Sequence, residues 1–470
     1  MTAKQAGEYV ARNIFLLQRD ISIELLTQAW NVVVAANDIL RTRIVDLPEQ
    51  GLVQVVINAA SPCIIQQGLE DYVKADKVQE IGLGKPLTRA AIITDCEGGA
   101  CYFVWTIHHA LYDGWSMPLL LRQLETAYRS GSIGTPPTPF QGFIGYIATA
   151  NQQSTRHYWQ GQLADCEAAP FPALPAASYQ PMASQLLEHT ITGFHWPKGD
   201  TTLSTILRAA WAIVIGRHTA SDDVAFGAVS NGRQAPVPGI ERMTGPTIAT
   251  VPVRIKLRKS SVRELLSKMQ SQAVEMVPHE QFGLFNIQKL GPGAKQACQF
   301  QSVVVVQPKA EAAVDSHKFA LLSREEQNKA AGLGNSVGQF VTYALMLTCR
   351  LDDRGKIDVE MQFDATVVAP ALANLLANQF DQVFCQLCQP GMSHIPVNDI
   401  ETTSQRDLQQ IWTWNAAVPT TVEACVHDLF AERVCQQPNA PAVCAWDGEL
   451  TYSELDALST RLAYHLAGLG

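Results

Sequence analysis

An α+β fold in two lobes is what this sequence predicts, on three observations. Helix-like and strand-like periodicities alternate through both halves of the chain. A proline-rich stretch, Ala168 to Pro181, interrupts that alternation and reads as a crossover between lobes, with a boundary near residue 175. At 470 residues, and roughly 150 residues per domain, the chain can build two large cores.

The first lobe opens on a helix, because Leu25, Leu26, Trp30, Val33 and Val34 recur at helical spacing between Ile23 and Val34, and Ile39 to Ile44 then turns β-like. Val53 to Ile57, Thr88 to Thr94 and Cys101 to Ile107 read as strands. The last two flank Cys96-Glu97-Gly98-Gly99, whose glycines suit a tight hairpin turn. That hairpin ends at His108-His109. Ser116-Met117-Pro118 reads as a helix start, with Ser116 as N-cap and proline in the first turn, and Leu120, Leu124, Ala127 and Tyr128 mark one face of the helix before Ser130-Gly131. The two histidines therefore sit in a strand-to-helix turn, a place where polar side chains are held at the edge of a cleft.

Beyond the crossover, Leu203 to Ile215 reads as helix and Val224 to Val229 as strand, and a Gly/Pro-punctuated loop, Asn231 to Pro246, leads into a strand at Thr250 to Ile255. Val303 to Val306, Val341 to Leu347 and Ile357 to Phe363 add strands before a helix over Leu372 to Leu387. Cys385 and Cys388 have a motif-like spacing, but with no second Cys/His pair at matching distance and apolar residues at helical intervals from Leu375 to Leu387 they read as core packing rather than a metal or redox pair. No metal site is expected. Periodicity fades between Thr402 and Thr421, which reads as linker. Val426 to Val434 is then helix-like, Ala442 to Ala445 strand-like, Asp447-Gly448 a turn and Tyr452 to Leu469 helical.

Composition removes several function classes. Lys plus Arg total 35 against 44 Asp plus Glu, a formal charge of −9, so no overall positive field holds a phosphate backbone and nucleic acid is not an expected partner. The most apolar charge-free stretch, Ala365 to Phe380, carries Pro370 and is shorter than the roughly 20 residues a bilayer demands. No membrane partner is expected. Met1-Thr2-Ala3-Lys4-Gln5 lacks the apolar run of a secretory signal, so the expected location is cytoplasmic, with the 11 cysteines unbridged.

The strongest chemical signal is His108-His109-Ala110-Leu111-Tyr112-Asp113-Gly114. Successive strand residues point to opposite faces, so one histidine can brace the interior while the other meets a cleft. An imidazole titrates near neutrality and can take a proton from an attacking nucleophile or hold it by hydrogen bond, which suits acyl transfer. Asp113 is either the acid that orients the ring or, as its turn position beside Gly114 favours, the partner of a backbone amide or a cation.

This heptad, HHxxxDG, followed by Trp115-Ser116, resembles the active-site motif of condensation domains of nonribosomal peptide synthetases, particularly the fungal type. Asp38-Ile39-Leu40-Arg41-Thr42-Arg43 resembles an early motif of that family. Gly227 to Arg233, Pro236 to Ile240, Gly245 to Arg254, Pro278-His279-Glu280-Gln281 and Phe300-Gln301-Ser302 resemble its second-lobe core. The likeness covers residues 8 to 395, and the family's first motif is not found ahead of Glu8, so a truncated N-terminus is expected. His427-Asp428-Leu429-Phe430 and Leu450 to Leu455 resemble the opening of an adenylation domain.

The resemblance implies two lobes, each like chloramphenicol acetyltransferase, in a V-shaped pseudo-dimer: a condensation lobe over 1–175, a second over 176–395, a linker over 396–425 and an incomplete adenylation domain over 426–470. It implies an amide-forming acyltransferase that joins a donor acyl or peptidyl thioester to an acceptor aminoacyl thioester. Both would be carried on the 4'-phosphopantetheine arms of upstream and downstream carrier domains, with an adenylation domain in cis and no cofactor bound covalently to this chain. By place in the motif, His109 is the catalytic residue, and His108, Asp113 and Gly114 complete the site. Arg41 is the expected cationic partner of Asp113, because a buried carboxylate needs a cation and arginine pairs with it bidentately. The alternation of Arg254, Lys256 and Arg258 suggests either a face for an acidic carrier or a solvated edge strand. Other HxxxDG acyltransferases that use CoA thioesters, epimerisation domains and an inactive truncated carrier-docking scaffold stand as alternatives.

Overall fold

The first ordered elements of the chain are β1 (Val10–Leu17), α1 (Ile23–Ala36), β2 (Thr42–Leu47), β3 (Gly51–Val56), β4 (Ile64–Gln67), α2 (Leu69–Val78), β5 (Thr88–Thr94), β6 (Cys101–His108) and α3 (Ser116–Ser130). This computed structural model describes residues 9–58, 62–94, 99–195, 199, 201–257, 260–307, 319–322, 326, 342–351, 355–418 and 420–469. The chain divides into two units, Met1–Asp407 and Leu408–Gly470.

Strand alternation explains the first lobe. Phe103, Trp105 and Ile107 on β6 face the apolar stripes of α1 and α3, where Leu26, Trp30, Val33, Leu120 and Leu124 are buried with them. Trp30 meets Phe103 and Trp105 edge-on, with ring centroids 5.4 and 5.2 Å apart. Val104 points the other way, onto a smaller core with Leu69, Tyr72 and Val73 of α2. The Ser22 hydroxyl accepts the Leu25 N–H and starts α1. On the α2 side the buried Asp76 carboxylate accepts from Arg12 Nε, Arg89 Nε and Thr106 Oγ1, each at 2.8 Å, so β1, β5 and β6 are tied by charge as well as by ladder.

The sequence continues through α4 (Gln141–Thr149), α5 (Gln152–Leu163), β7 (Gln185–Ile191), α6 (Leu203–Thr219), β8 (Asp223–Ser230), β9 (Ala249–Lys256), α7 (Val262–Met276), α8 (Leu284–Ile287), α9 (Pro292–Ala297), β10 (Ser302–Gln307), β11 (Phe319–Leu321), β12 (Leu345–Leu351), β13 (Ile357–Phe363) and the helix Pro370–Leu387. The second sheet runs β7-β13-β12-β10-β8-β9, with β10 parallel to β8 and β12. α6 and the helix Pro370–Leu387 are packed into its core through Trp211, Phe380 and Phe384. Cys388 and part of Cys385 lie in this core, and burial pushes both thiols up to about 12.

Two features of the first sheet depart from a reading by separate halves. Its order is β11-β1-β6-β5-β4, so a strand from beyond residue 300 pairs antiparallel with β1. At three residues β11 is too short to show a period in sequence. The crossover also begins before the proline-rich stretch, since Trp159 and Leu163 of α5 are buried in the second core. Of the expected strand Val341 to Leu347, Val341 lies outside the described residues, and the strand found spans Leu345–Leu351. In the expected hairpin turn, residues 96–98 lie outside the described residues as well.

Within the stretch read as linker, Gln405–Trp414 is helical. Ser404 and Asp407 cap its start reciprocally, Ser404 N donating to Asp407 Oδ2 at 2.8 Å and Asp407 N to Ser404 Oγ at 3.2 Å, a local signal that fading periodicity conceals. In the second unit, β14 (Pro441–Ala445) and β15 (Gly448–Thr451) form a hairpin between the helices Val426–Gln436 and Tyr452–Ala467; the sequence predicts the helices, the first strand and the turn, and β15 is added by the structure. Thr451 and Glu454 form a capping box at the last helix.

Candidate active site

The turn after β6 is built from its own main chain. His108 N donates to Leu87 O at 2.8 Å, His109 N to Tyr9 O at 2.7 Å and Leu111 N to His108 O at 3.0 Å. These bonds end the strand and reverse the chain toward α3. β6 ends at His108, so His109 belongs to the turn, and the two imidazoles have different surroundings. His108 is buried, and its Nδ1 accepts the Ala110 N–H at 3.0 Å, so its proton sits on Nε2. His109 is half-buried, with its Nδ1 2.8 Å from Tyr112 O. A carbonyl only accepts, so Nδ1 of His109 carries the proton and the lone pair lies at Nε2. The Tyr112 ring stacks on His109, with centroids 4.7 Å apart and planes inclined by 15°.

Burial, and after it the neighbouring His109, lower the His108 pKa to about 4. A histidine held neutral in the folded state adds stability that is fully present above the unfolded value near 6.5 and is lost as pH falls from there through about 4. Between those values the unfolded chain binds the extra proton. Urea unfolding at pH 7 and pH 5 is therefore expected to show a drop in stability that is smaller in His108→Gln, and equal drops in both proteins would contradict this.

Asp113 is fully buried and does not bond His109 among the described contacts. Its Oδ1 accepts the main-chain N–H groups of Ser116 at 2.7 Å and Trp115 at 3.2 Å, so the carboxylate sits at the positive end of α3. Ser116, expected as N-cap, is instead the first helical residue, and its hydroxyl accepts the Asp113 N–H at 2.8 Å. The other contacts come from the second lobe. Arg233 Nη2 donates to Oδ2 at 2.9 Å and Oδ1 at 3.1 Å, and Thr247 N donates to Oδ2 at 2.9 Å.

Arg41, the expected partner of Asp113, is therefore replaced by Arg233. The reason is local. Arg41 follows the end of α1, where its guanidinium donates to the carbonyls of Val34 at 3.2 Å and Ile57 at 2.9 Å and to Asp38 at 2.5 Å. Open carbonyls at a helix end take the cation before a distant carboxylate can. Arg233 is held by carbonyls too, those of the short 3-10 turn Ile240–Arg242 and its cap, but keeps Nη2 for Asp113. It lies in the Gly/Pro-punctuated loop, where its Nη1 donates to Ile240 O and Met243 O and its Nη2 to Gly245 O, so the loop is wrapped around the guanidinium. Gly232 makes this possible. Its φ is +66°, and a Cβ there would stand 1.9 Å from Thr247 O. A cation beside a glycine in the second-lobe motif was the signal available in sequence for this partner.

Gly114 is exposed, and the direction a side chain would take from it leads to Gln307 Nε2 of β10 at 3.9 Å. With Asp113 bound to Arg233, this places the turn where the two lobes meet. Trp115 Nε1 also crosses, donating to Glu241 O at 2.9 Å. β9 is an edge strand of the second sheet, but Arg254 of the alternating basic series does not face solvent. Arg254 is buried on Asp223, with Nε to Oδ1 at 2.8 Å and Nη2 to Oδ2 at 2.7 Å; Lys256 is exposed and Arg258 lies outside the described residues.

An imidazole with Nδ1 held on a main-chain carbonyl, on a turn clamped between two α+β lobes, is the equipment of an acyl-transfer domain. Comparison with known proteins gives the family. The profile described as "Condensation domain" matches residues 2–412. Nonribosomal peptide synthetase ungA of Aspergillus violaceofuscus is 44% identical over 471 residues, covering 100% of this chain and 5% of that protein. Peramine synthetase A of Epichloe festucae is 39% identical over 473 residues, covering 100% of this chain and 16% of that protein. The chain thus spans a small part of the relatives it matches. Among solved structures, the starter condensation domain of rhizomide synthetase RzmA, as a variant, superposes with a TM-score of 0.63 at 17% identity over 84% of this chain and 94% of that chain. The four-domain nonribosomal peptide synthetase AB3403 gives 0.67 at 14% identity over 99% and 37%. These two likenesses show the fold.

The chain belongs to the condensation-domain family of nonribosomal peptide synthetases, the acyltransferase-type domains that form amide bonds. Neither a CoA-dependent acyltransferase, an epimerisation domain nor a bare scaffold is favoured by these matches. No described helix is long and apolar enough to cross a membrane.

Proposed function

We propose that this domain joins a donor acyl or peptidyl thioester to the amine of an acceptor aminoacyl thioester, with His109 as the catalytic residue. Both substrates arrive on 4'-phosphopantetheine arms of carrier domains, upstream for the donor and downstream for the acceptor. The observation that carries the reading is the His109 Nδ1 to Tyr112 O contact, which leaves the acceptor lone pair at Nε2.

An α-amino group with a pKa near 8 is mostly protonated at neutral pH and must lose a proton to attack. The neutral amine so formed attacks, and His109 Nε2 accepts the second proton, which the nitrogen gives up as the C–N bond forms. The imidazolium returns it to the sulfur as the tetrahedral intermediate collapses and the C–S bond breaks. His108 and Asp113 hold the turn, and Gly114 lies beside them at the lobe junction. Incubating the purified chain with a loaded donor and a loaded acceptor carrier tests the reading by mass spectrometry. A dipeptidyl thioester on the acceptor is the expected product, and two unchanged carriers would refute it.

The proposal extends to the second unit. Its His427-Asp428-Leu429-Phe430 and Leu450 to Leu455 segments, on a helix, hairpin and helix, are read as the start of an adenylation domain that acts in cis. The site of action is read as the cytosol, in keeping with the unpaired thiols of the described cysteines.

A further inference from the structure

We infer that Tyr112 is the positioning residue of the reaction site, its ring acting as the platform that fixes the plane of the His109 imidazole. The inference rests on the reading of His109 as the reacting group. It starts from a coincidence of contacts: the same residue offers its carbonyl to His109 Nδ1 at 2.8 Å and its ring to the imidazole face at 4.7 Å. An imidazole has two soft torsions, and one hydrogen bond restrains its edge but not its tilt. The nearly parallel phenol restrains the tilt. Together they aim Nε2 in one direction.

Tyr112 is itself held. Its ring packs against the buried core of the first lobe, and burial pushes the phenol above its ordinary pKa, so it remains neutral. The next residue is Asp113, clamped by Arg233 and Thr247. A rigid platform therefore stands between the interlobe clamp and the reacting ring.

The test compares Tyr112→Phe, which keeps the aromatic face, with Tyr112→Met, which keeps bulk and loses it. Tyr112→Phe is expected to retain kcat within about twofold, and Tyr112→Met to lose about tenfold to 100-fold in kcat with an unchanged KM for the loaded acceptor carrier. Nitrogen NMR of His109 is the readout independent of turnover. It should show a single Nδ1–H tautomer in the wild type and Tyr112→Phe and a mixture in Tyr112→Met. The inference is overturned if Tyr112→Met keeps both the rate and the single tautomer, or if Tyr112→Phe loses as much rate as Tyr112→Met. Should Tyr112→Met not fold, Tyr112→Leu, which also removes the aromatic face, takes its place with the same two readouts and the same overturning result. Normal turnover by His109→Ala would instead remove the catalytic reading while leaving the tautomer comparison intact.

Discussion

His109→Ala is expected to lower the rate of dipeptidyl thioester formation by about 10²- to 10⁴-fold, the range that loss of a positioned general base produces. What remains is the contribution of holding two thioester arms in one place. The fold is expected to survive. The imidazole is half-buried and its Nδ1 contact lies within its own turn, while the main-chain bond from His109 N to Tyr9 O does not depend on the side chain. Stability is therefore expected to stay within about 1 kcal/mol of the wild type. Single-turnover mass spectrometry with preloaded carriers measures the rate, and urea unfolding measures the stability. His109→Gln refines the test, because its amide N–H or carbonyl can hydrogen-bond an amine but cannot carry a proton to sulfur. Recovery of most of the rate in His109→Gln would assign the residue to orientation, and a rate as low as that of His109→Ala assigns it to proton transfer. Wild-type turnover by both variants would take His109 out of the mechanism.

The parts of this site legible in sequence are those fixed within a few residues of one another. The strand end at His108, the turn through Gly114 and the helix beyond Ser116 follow from alternation, glycine and helical spacing, and the structure has them in that order. That His108 is buried and His109 only half-buried is in keeping with the expectation that one histidine braces the interior. What was not legible is long in range. Asp113 and Arg233 are 120 residues apart, and no periodicity connects a carboxylate in one lobe to a cation in a loop of the other. Arg41 was the nearer arginine by motif, but a one-dimensional reading does not show that open helix-end carbonyls already claim it. β11 escaped for a related reason, since three residues do not make a pattern and its pairing with β1 joins opposite ends of the first unit.

The Asp113–Arg233 pair carries the second large effect. Side-chain exposure is 5% for Arg233 and 0% for Asp113, so neither charge has water to fall back on when the other is removed. Arg233→Met is expected to cost about 3 to 5 kcal/mol, because Asp113 then keeps only amide and hydroxyl donors, and the loop carbonyls of Ile240, Met243 and Gly245 lose theirs. Asp113→Asn should cost a comparable amount. Its amide oxygen can still accept from Ser116 N and Trp115 N at the start of α3, but its NH2 then faces Thr247 N–H and the guanidinium, donor against donor. The two costs should not add. With both changes the misdirected amide no longer faces a buried cation, and the double variant is expected to lose less than the sum by about 1 to 3 kcal/mol. A cycle of urea unfolding curves measures that difference. Strict additivity would mean that the pair does not couple the lobes. Coupling in stability, with His109 chemistry persisting in whatever fraction of Asp113→Asn remains folded, would place Asp113 on the side of architecture, as its contacts indicate. A folded but inactive Asp113→Asn would instead bring the carboxylate into the chemistry through the rigidity of the turn that carries His109.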